Sequence, residues 1–383
     1  MTGDIKPKKK IRKLLGIVGS LLSLAVLTYI AITLISGRDL NLSWVTDIFF
    51  EHEPVEMAEE YHFDVGRSRV FADLDGSLAA AGTLGVQVLD IGGDELVRDP
   101  FRMSNPAINA TGDKAIAFDI GGTAVRVFDK ARVDVSIETS EAIVSASINR
   151  NGWFCVNTLG NGGLKGIATV YSSKGNPTYK VSLSSGYILS AALSPDNSSL
   201  AILSLTDSSS RITFYHGLDK ETADSEYDLP GGLILDIWYP PDGDLVAIST
   251  ESLISVSRDG VSSELSSFSG KKLGAYTFVD NLYTLYLLDY GVGYRGQLMV
   301  LSADGSKVSE LATDREIISM SSSGGDLAVL RKDGFSFFSA ELEERATSVE
   351  RISISGATQI LALGNGAALA TGDHLAVACH VAS

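Results

Sequence analysis

A tight-turn dipeptide between two β-type runs recurs eight times along this chain of 383 residues. The turns are Asp75-Gly76, Thr111-Gly112, Asn151-Gly152, Asp196-Asn197, Asp242-Gly243, Asp280-Asn281, Gly324-Gly325 and Asn365-Gly366, and their second residues are spaced by 36 to 46 positions. Asp and Asn followed by Gly tolerate the positive φ values of two-residue hairpin turns. Each turn therefore predicts a pair of antiparallel strands.

A period near 40 residues built from short strands is typical of β-propeller blades, in which each blade is a four-stranded sheet. A third short run follows in most units, as in Val86 to Asp90 and Ile212 to Tyr215, and a more polar fourth run often comes next. The sequence predicts an all-β fold, an eight-bladed β-propeller over residues 60–383. Seven blades are the alternative, because the short first unit also fits a cap.

The two ends of the repeat region complement each other. The last unit stops after its third run, His374 to His380, while a strand-like run, Glu60 to Val65, precedes the first unit without a partner of its own. We expect this N-terminal run to complete the last blade, because that pairing leaves no open sheet edge. The connections from second to third strands and from each blade to the next then share one end of the propeller, and the chain enters from the opposite end.

Residues 14–35 contain no charged side chain and predict a single transmembrane helix from Leu14 to Ile35. A helix of this length spans the roughly 30 Å hydrocarbon core of a bilayer. The apolar run is longer than that of a cleaved signal peptide and ends without an Ala-x-Ala site, which favours an uncleaved signal anchor. Six basic residues precede the helix and Arg38 alone follows closely, which places the N-terminus in the cytoplasm.

The predicted organisation is therefore a cytoplasmic basic tail (1–13), a transmembrane signal anchor (14–35), a juxtamembrane tether (36–59) and an extracytoplasmic β-propeller (60–383). The predicted location is the cell membrane, which the chain crosses once.

Acidic residues outnumber basic ones, 47 to 31, for a net charge of −16. Six of the basic residues lie in the tail, so the propeller region is more acidic still. Proteins that bind nucleic acid need a basic surface, and we therefore expect no nucleic-acid partner.

The sequence contains no motif that indicates catalysis, a metal or a cofactor. The five histidines lack the spacing of zinc ligands, and the Asp-rich turns lack the pattern of a calcium loop. The Gly-rich stretches lead into strands, whereas phosphate-binding loops lead into helix N-termini. We predict no catalytic residue, no metal site and no cofactor.

Two long connections between second and third strands are the candidate binding sites. The predicted ligand-binding residues are Tyr290, Tyr294 and Arg295 in one connection, with Asn161 and Lys165 in the other. Tyrosine and arginine are enriched among the residues that dominate binding energy at protein interfaces.

The hairpins Ser194-Pro195-Asp196-Asn197 and Pro240-Pro241-Asp242-Gly243 resemble the Ser-Pro-Asp-Gly hairpins of WD40-like and quinoprotein-like bacterial β-propellers. The resemblance covers residues 60–380, although the Gly-His and Trp-Asp dipeptides of WD40 repeats proper are absent, as is a repeated Trp motif. A basic signal anchor followed by such a propeller resembles a family of membrane-anchored proteins of Gram-positive bacteria with no established activity. The resemblance implies a location and no mechanism.

The sequence thus predicts a non-enzymatic binding or scaffold module for a protein, a peptide or a cell-envelope ligand. The alternative is a cell-surface hydrolase or lyase with its site in the central funnel of the propeller. Carboxylates or histidines clustered on the inner strands would favour that alternative.

Overall fold

The computed structural model describes residues 60–230, 232–279, 281–291, 293–345, 347–348, 356–363, 366–371 and 374–381. The predicted tail (1–13), anchor (14–35) and tether (36–59) lie outside the described residues and stay predictions. In the part of the chain that is described, no helix has the length and apolar character needed to cross a membrane.

The described residues form antiparallel sheets of short strands. A two-residue strand, β1 (Glu60–Tyr61), comes first. The first sheet contains β2 (Val70–Leu74), β3 (Ser77–Gly82), β4 (Gly85–Leu89) and β5 (Glu95–Pro100). The second contains β6 (Pro106–Thr111), β7 (Lys114–Asp119), β8 (Ala124–Phe128) and β9 (Val133–Glu138). The third contains β10 (Ile143–Ile148), β11 (Phe154–Leu159), β12 (Gly166–Tyr171) and β13 (Pro177–Leu183).

The later sheets repeat this order. The fourth contains β14 (Tyr187–Leu193), β15 (Ser199–Leu205), β16 (Ser209–His216) and β17 (Ser225–Pro230), and the fifth β18 (Ile234–Trp238), β19 (Leu245–Ser249), β20 (Ser252–Val256) and β21 (Ser262–Ser267). The sixth contains β22 (Lys271–Val279), β23 (Leu282–Asp289), β24 (Gly296–Ser302) and β25 (Lys307–Thr313), and the seventh β26 (Ile317–Ser323), β27 (Asp326–Arg331) and β28 (Gly334–Phe338). The last strands are β29 (Thr347–Ser348), β30 (Ala357–Leu363), β31 (Gly366–Thr371) and β32 (His374–Val381).

The predicted all-β propeller is confirmed, and the structure refines how its sheets are composed. Seven blades are formed by strands that follow one another along the chain, so the predicted number of eight is corrected to the alternative of seven. A further sheet, which we call the closing sheet, joins β30, β31 and β32 to β1 and β29. It packs against the first blade through Leu361 and Phe71, and against the seventh through Ile360 and Leu330, so it fills the place between them.

The pairing of the N-terminal run with the last strand is confirmed. Glu60 lies opposite Ala376 and Tyr61 opposite Leu375 in an antiparallel ladder. The strand is shorter than the predicted Glu60 to Val65, because the chain then turns onto the first blade. There the Val65 carbonyl accepts a hydrogen bond from the Leu84 N–H at 2.8 Å.

The seventh blade has three strands among the described residues. The Arg345 N–H donates to the Phe337 carbonyl at 2.9 Å, so the chain begins to follow the outer edge of β28. Thr347 and Ser348 then pair with β32 in the closing sheet. The described outer segment of the seventh blade therefore contributes to two sheets.

The hairpin turns show the chemistry on which the repeat prediction depended. Asp75 and Gly76 both have positive φ values, 50° and 79°, as a two-residue hairpin turn requires. The Gly76 N–H donates to the Asp73 carboxylate at 2.9 Å. Turn chemistry accounts for the acidic residue at this position without a ligand.

The core lies between neighbouring sheets. Leu74 and Val88 of the first blade, for example, pack with Ala115 and Phe128 of the second. Both faces of a blade are covered in this way, which explains why second strands such as Ser199–Leu205 are buried at nearly every position.

The antiparallel order gives the propeller two distinct ends. We call the end with the connections between second and third strands, and between successive blades, the upper end. The hairpin turns between first and second strands lie at the lower end. Because β1 runs antiparallel to β32, it runs from the lower toward the upper end.

Candidate functional site

The structure places all five predicted ligand-binding residues at the upper end. Tyr290, Tyr294 and Arg295 lie in the connection between β23 and β24, and Asn161 and Lys165 in the connection between β11 and β12. These connections belong to the sixth and third blades, with two blades between them. The structure therefore does not bring the two groups together.

The β23–β24 connection is partly engaged by its own chain. The Arg295 guanidinium donates to Asp289 at 3.2 Å, and the Lys271 ammonium contacts the other oxygen of that carboxylate at 2.9 Å. The negative charge of Glu316 and a hydrogen bond with it raise the pKa of Tyr294. Tyr290 is exposed, with 65% of its surface accessible.

The β11–β12 connection reaches toward the fourth blade. The Lys165 ammonium lies 5.2 Å from the centre of the Tyr187 ring and 3.4 Å from its hydroxyl oxygen. An ammonium over an aromatic face is attracted by the negative charge density of the ring. Asn161 instead donates to the Glu141 carboxylate at 2.6 Å. Lys165 therefore contacts Tyr187, a residue that the sequence analysis did not identify.

A repeated backbone irregularity lies near the upper end of the inner strands. Six of the described inner strands contain a β-bulge at an equivalent position near their upper end, where one residue is skipped in the pairing. A bulge redirects the side chain of the extra residue. The skipped residues are Val144, Leu189, Leu235, Gly274, Ile318 and Thr358.

Two of these bulges lie in adjacent blades and belong to one exposed cluster. We call this cluster the upper apolar patch, and define it as Tyr187, Leu189, Leu205, Leu233 and Leu235, all exposed.

Pairing and hydrogen bonds connect the members of the patch. Tyr187 lies opposite Leu205 in the fourth blade, and Leu205 lies opposite Ser210. The Ser210 hydroxyl accepts the Ile234 N–H of the fifth blade at 3.1 Å. Because Leu233 and Leu235 flank Ile234, the exposed apolar side chains of both blades lie where the two blades meet.

The exposed apolar side chains of the described residues are unevenly distributed between the two ends. All but four of the large ones lie at the upper end, the exceptions being Leu96, Val261, Val308 and Leu311. Single exposed apolar residues need no explanation, but a patch of several neighbours marks an interaction surface.

Carboxylates on the inner strands do not form a catalytic pair. Burial raises the pKa of Asp73, near the lower end of β2, and raises that of Asp236, at the middle of β18, to about 6. The two residues lie in the first and fifth blades, with three blades between them. Among the described residues, no three His, Cys, Asp or Glu side chains are placed to hold a metal ion.

The sequence did contain a signal for the patch. In Tyr187-Ile188-Leu189 and Leu233-Ile234-Leu235, three consecutive positions are apolar, whereas a strand with one exposed face should alternate. The central isoleucine is buried in both runs, and its neighbours are exposed. The run alone does not distinguish this arrangement from a strand buried on both faces.

Solved structures support the propeller fold. The C-terminal WD40 domain of Sif2 matches with a TM-score of 0.54 at 12% identity, over 86% of this chain and all of that one. A eukaryotic initiation factor matches with a TM-score of 0.50 at 11% identity, over 82% of this chain and 84% of that one. The β-propeller domain of Cps50 (Swd1) from Myceliophteria thermophila has a TM-score of 0.47 at 12% identity, over 75% and 98% of the two chains. At these identities the first two likenesses show the fold alone.

Comparison at the sequence level is more restricted. No curated protein matches the chain. One family model, described as a family of unknown function (DUF5711), matches residues 51–348.

Proposed function

This chain belongs to the DUF5711 family, a family of unknown function, and we propose that it is a membrane-anchored binding module. Its propeller lies outside the cytoplasm and binds a protein, a peptide or a cell-envelope ligand through its upper end, without catalysing a reaction. The observation that carries this proposal is the upper apolar patch.

The composition of the patch supports binding. It combines one aromatic side chain, Tyr187, with four leucines on rigid strands or next to them. A sheet already holds the backbone of these residues in place, so little backbone freedom is lost when a partner covers them. The affinity gained from burying their apolar surface is therefore largely retained.

The membrane anchor is proposed from the uncharged segment 14–35 and the basic residues before it. The direction of β1 supports an arrangement in which the polypeptide enters the propeller at its lower end.

Photo-crosslinking in cells tests the binding function. A benzophenone amino acid replaces Tyr187 in the full-length protein, and the matched control replaces Val261, which is 69% exposed at the lower end. We expect a discrete crosslinked product from position 187 and none from position 261. In a chain that also has Leu189→Ser, the product from position 187 should weaken.

Equal products from both positions, or none from position 187, would contradict the proposal. Western blots against the chain followed by mass spectrometry identify the product, and the abundance of each variant in the membrane fraction shows whether it folds.

A further inference from the structure

We propose that the upper apolar patch docks a protein segment whose aliphatic side chains are flanked by carboxylates. The inference rests on the proposed binding function and names the chemistry of the partner. It is carried by two lysines, Lys165 and Lys272, that border the patch on opposite sides.

Lys165 borders the patch on the side of the third blade. Its ammonium is held against the ring and hydroxyl of Tyr187, a member of the patch. No carboxylate of the described residues lies within 4 Å of this ammonium, so its charge is available to a partner.

Lys272 borders the patch on the side of the sixth blade. It stands two residues before the bulge at Gly274, as Tyr187 and Leu233 stand two residues before theirs. The Tyr276 hydroxyl, further along the same strand, is hydrogen-bonded to Asp236, which ties this strand to β18 and the patch. Lys272 is exposed, and no described carboxylate lies within 4 Å of it.

Two lysines without a described carboxylate partner lie next to the apolar patch of an acidic protein. Most of the described basic side chains are within 4 Å of a carboxylate, including Lys271, the neighbour of Lys272, which contacts Asp289. Charged groups at the rim of an interface steer the partner and fix its register, while the apolar centre supplies affinity. Two unpaired lysines thus favour a partner with carboxylates beside its apolar residues.

A protein segment fits this surface better than an anionic membrane does. Asp207 and Glu251 lie in the upper connections of the fourth and fifth blades, next to the patch. A plane of lipid phosphates would meet these two carboxylates as well as the lysines and would be repelled by them. A narrow segment can align its carboxylates with Lys165 and Lys272 alone.

Peptide selection tests the proposal directly. A displayed library of random peptides is selected on the full-length protein in detergent micelles, and binders that also bind a Leu189→Ser/Leu235→Ser variant are removed. We expect the surviving peptides to be enriched in Asp and Glu next to Leu, Ile, Val or Phe. Survivors without an acidic excess, or no survivors, would overturn the proposal.

Charge reversal supplies an independent readout. The best acidic peptide should bind about tenfold more weakly to Lys165→Glu/Lys272→Glu, and a version with lysines in place of its carboxylates should bind that variant better than the original protein. Lys174→Glu, in an exposed turn at the lower end, is the matched control and should bind the acidic peptide as the original protein does.

Vesicles containing anionic lipid are the last comparison. Displacement of the acidic peptide by such vesicles, and not by neutral ones, would identify a membrane-docking surface and overturn the proposal. If crosslinking at position 187 succeeds while peptide selection shows no acidic preference, the binding function stands and only the chemistry of the partner is wrong.

Discussion

The pKa of Asp236 is set by the surroundings of its carboxylate in the propeller. The carboxylate follows the bulge at Leu235, accepts the Ile237 N–H at 2.8 Å and is hydrogen-bonded to Tyr276 of the next blade. Burial outweighs these hydrogen bonds and raises its pKa to about 6. The side chain therefore lies between two blades and is uncharged only below about pH 6.

We expect Asp236→Asn to stabilise the protein above pH 6, because asparagine keeps an acceptor oxygen without the cost of burying a charge. A carboxyl with a raised pKa binds its proton more tightly in the folded state, so its contribution to stability grows as the pH falls through 6. The advantage of the variant should be at most about 3 kcal/mol near neutral pH and should shrink between pH 6 and 4.

Urea unfolding of the full-length protein in detergent measures this difference across the pH range. Asp242→Asn, in an exposed hairpin turn, controls for the loss of one negative charge. A difference between Asp236→Asn and the original protein that does not change with pH would refute the assignment.

The limits of prediction at the residue scale are visible in the same region. Long Gly-rich connections can be recognised from sequence, and Lys165 was identified in that way. Leu189 and Leu235 were missed because their exposure depends on bulges, and a bulge depends on how a strand is paired with its neighbour. A run of apolar residues does not indicate which of them will be left without a partner on the neighbouring strand.

At the scale of elements, the strands that local chemistry dictates were predictable. Hairpins with Asp-Gly or Asn-Gly turns have their register set by the turn, and β2 with β3 is an example. The extent of β1 was not predictable, since hydrogen bonds from the first blade end it after Tyr61. The three-stranded form of the seventh blade likewise depends on a competing partner, β32.

We expect Tyr61→Ala to lower the free energy of unfolding by about 3 to 5 kcal/mol, the usual cost of removing a large buried aromatic side chain. The Tyr61 ring is completely buried between the closing sheet and the first blade, and its hydroxyl donates to the Ile91 carbonyl at 2.9 Å. Denaturant unfolding of the full-length protein measures the change.

The neighbouring substitution His62→Ala is the matched control, because His62 is exposed and follows directly in sequence. Its effect should be within about 0.5 kcal/mol of zero. Equal losses for the two variants would show that β1 does not hold the closing sheet in place.

The two ends of the propeller differ in the residues they expose. The lower end is built from hairpin turns with hydrogen-bonded aspartates, whereas the upper end exposes apolar side chains. Aspartates in the lower turns accept hydrogen bonds from their own backbone, as Asp304 does from the Ser306 N–H at 2.9 Å. The Ser302 hydroxyl and this N–H lower the pKa of Asp304 to about 2. The upper end instead exposes apolar side chains that no described turn requires, and it is there that a partner is expected.

Cysteine labelling tests the orientation of the molecule in the membrane. We expect Val261→Cys to react with a membrane-impermeant maleimide in intact cells, and Thr2→Cys to react only after permeabilisation, because the basic tail should remain in the cytoplasm. Both substitutions are made in a Cys379→Ser chain. Native Cys155 should stay unlabelled, since burial raises the pKa of its thiol to about 12. The reverse pattern would place the propeller in the cytoplasm.

The closing sheet also ties folding to the order in which the chain is made. Tyr61 and Leu375 are neighbours in space but more than 300 residues apart in sequence. Such a distant contact is slow to form, because the entropy of a long loop must be lost first. During synthesis β1 stays unpaired until β32 has been made. The propeller therefore closes only when its first and last described strands pair. Arrested translation or premature cleavage would leave that seam open, with bare backbone available for aggregation or for capture by a chaperone.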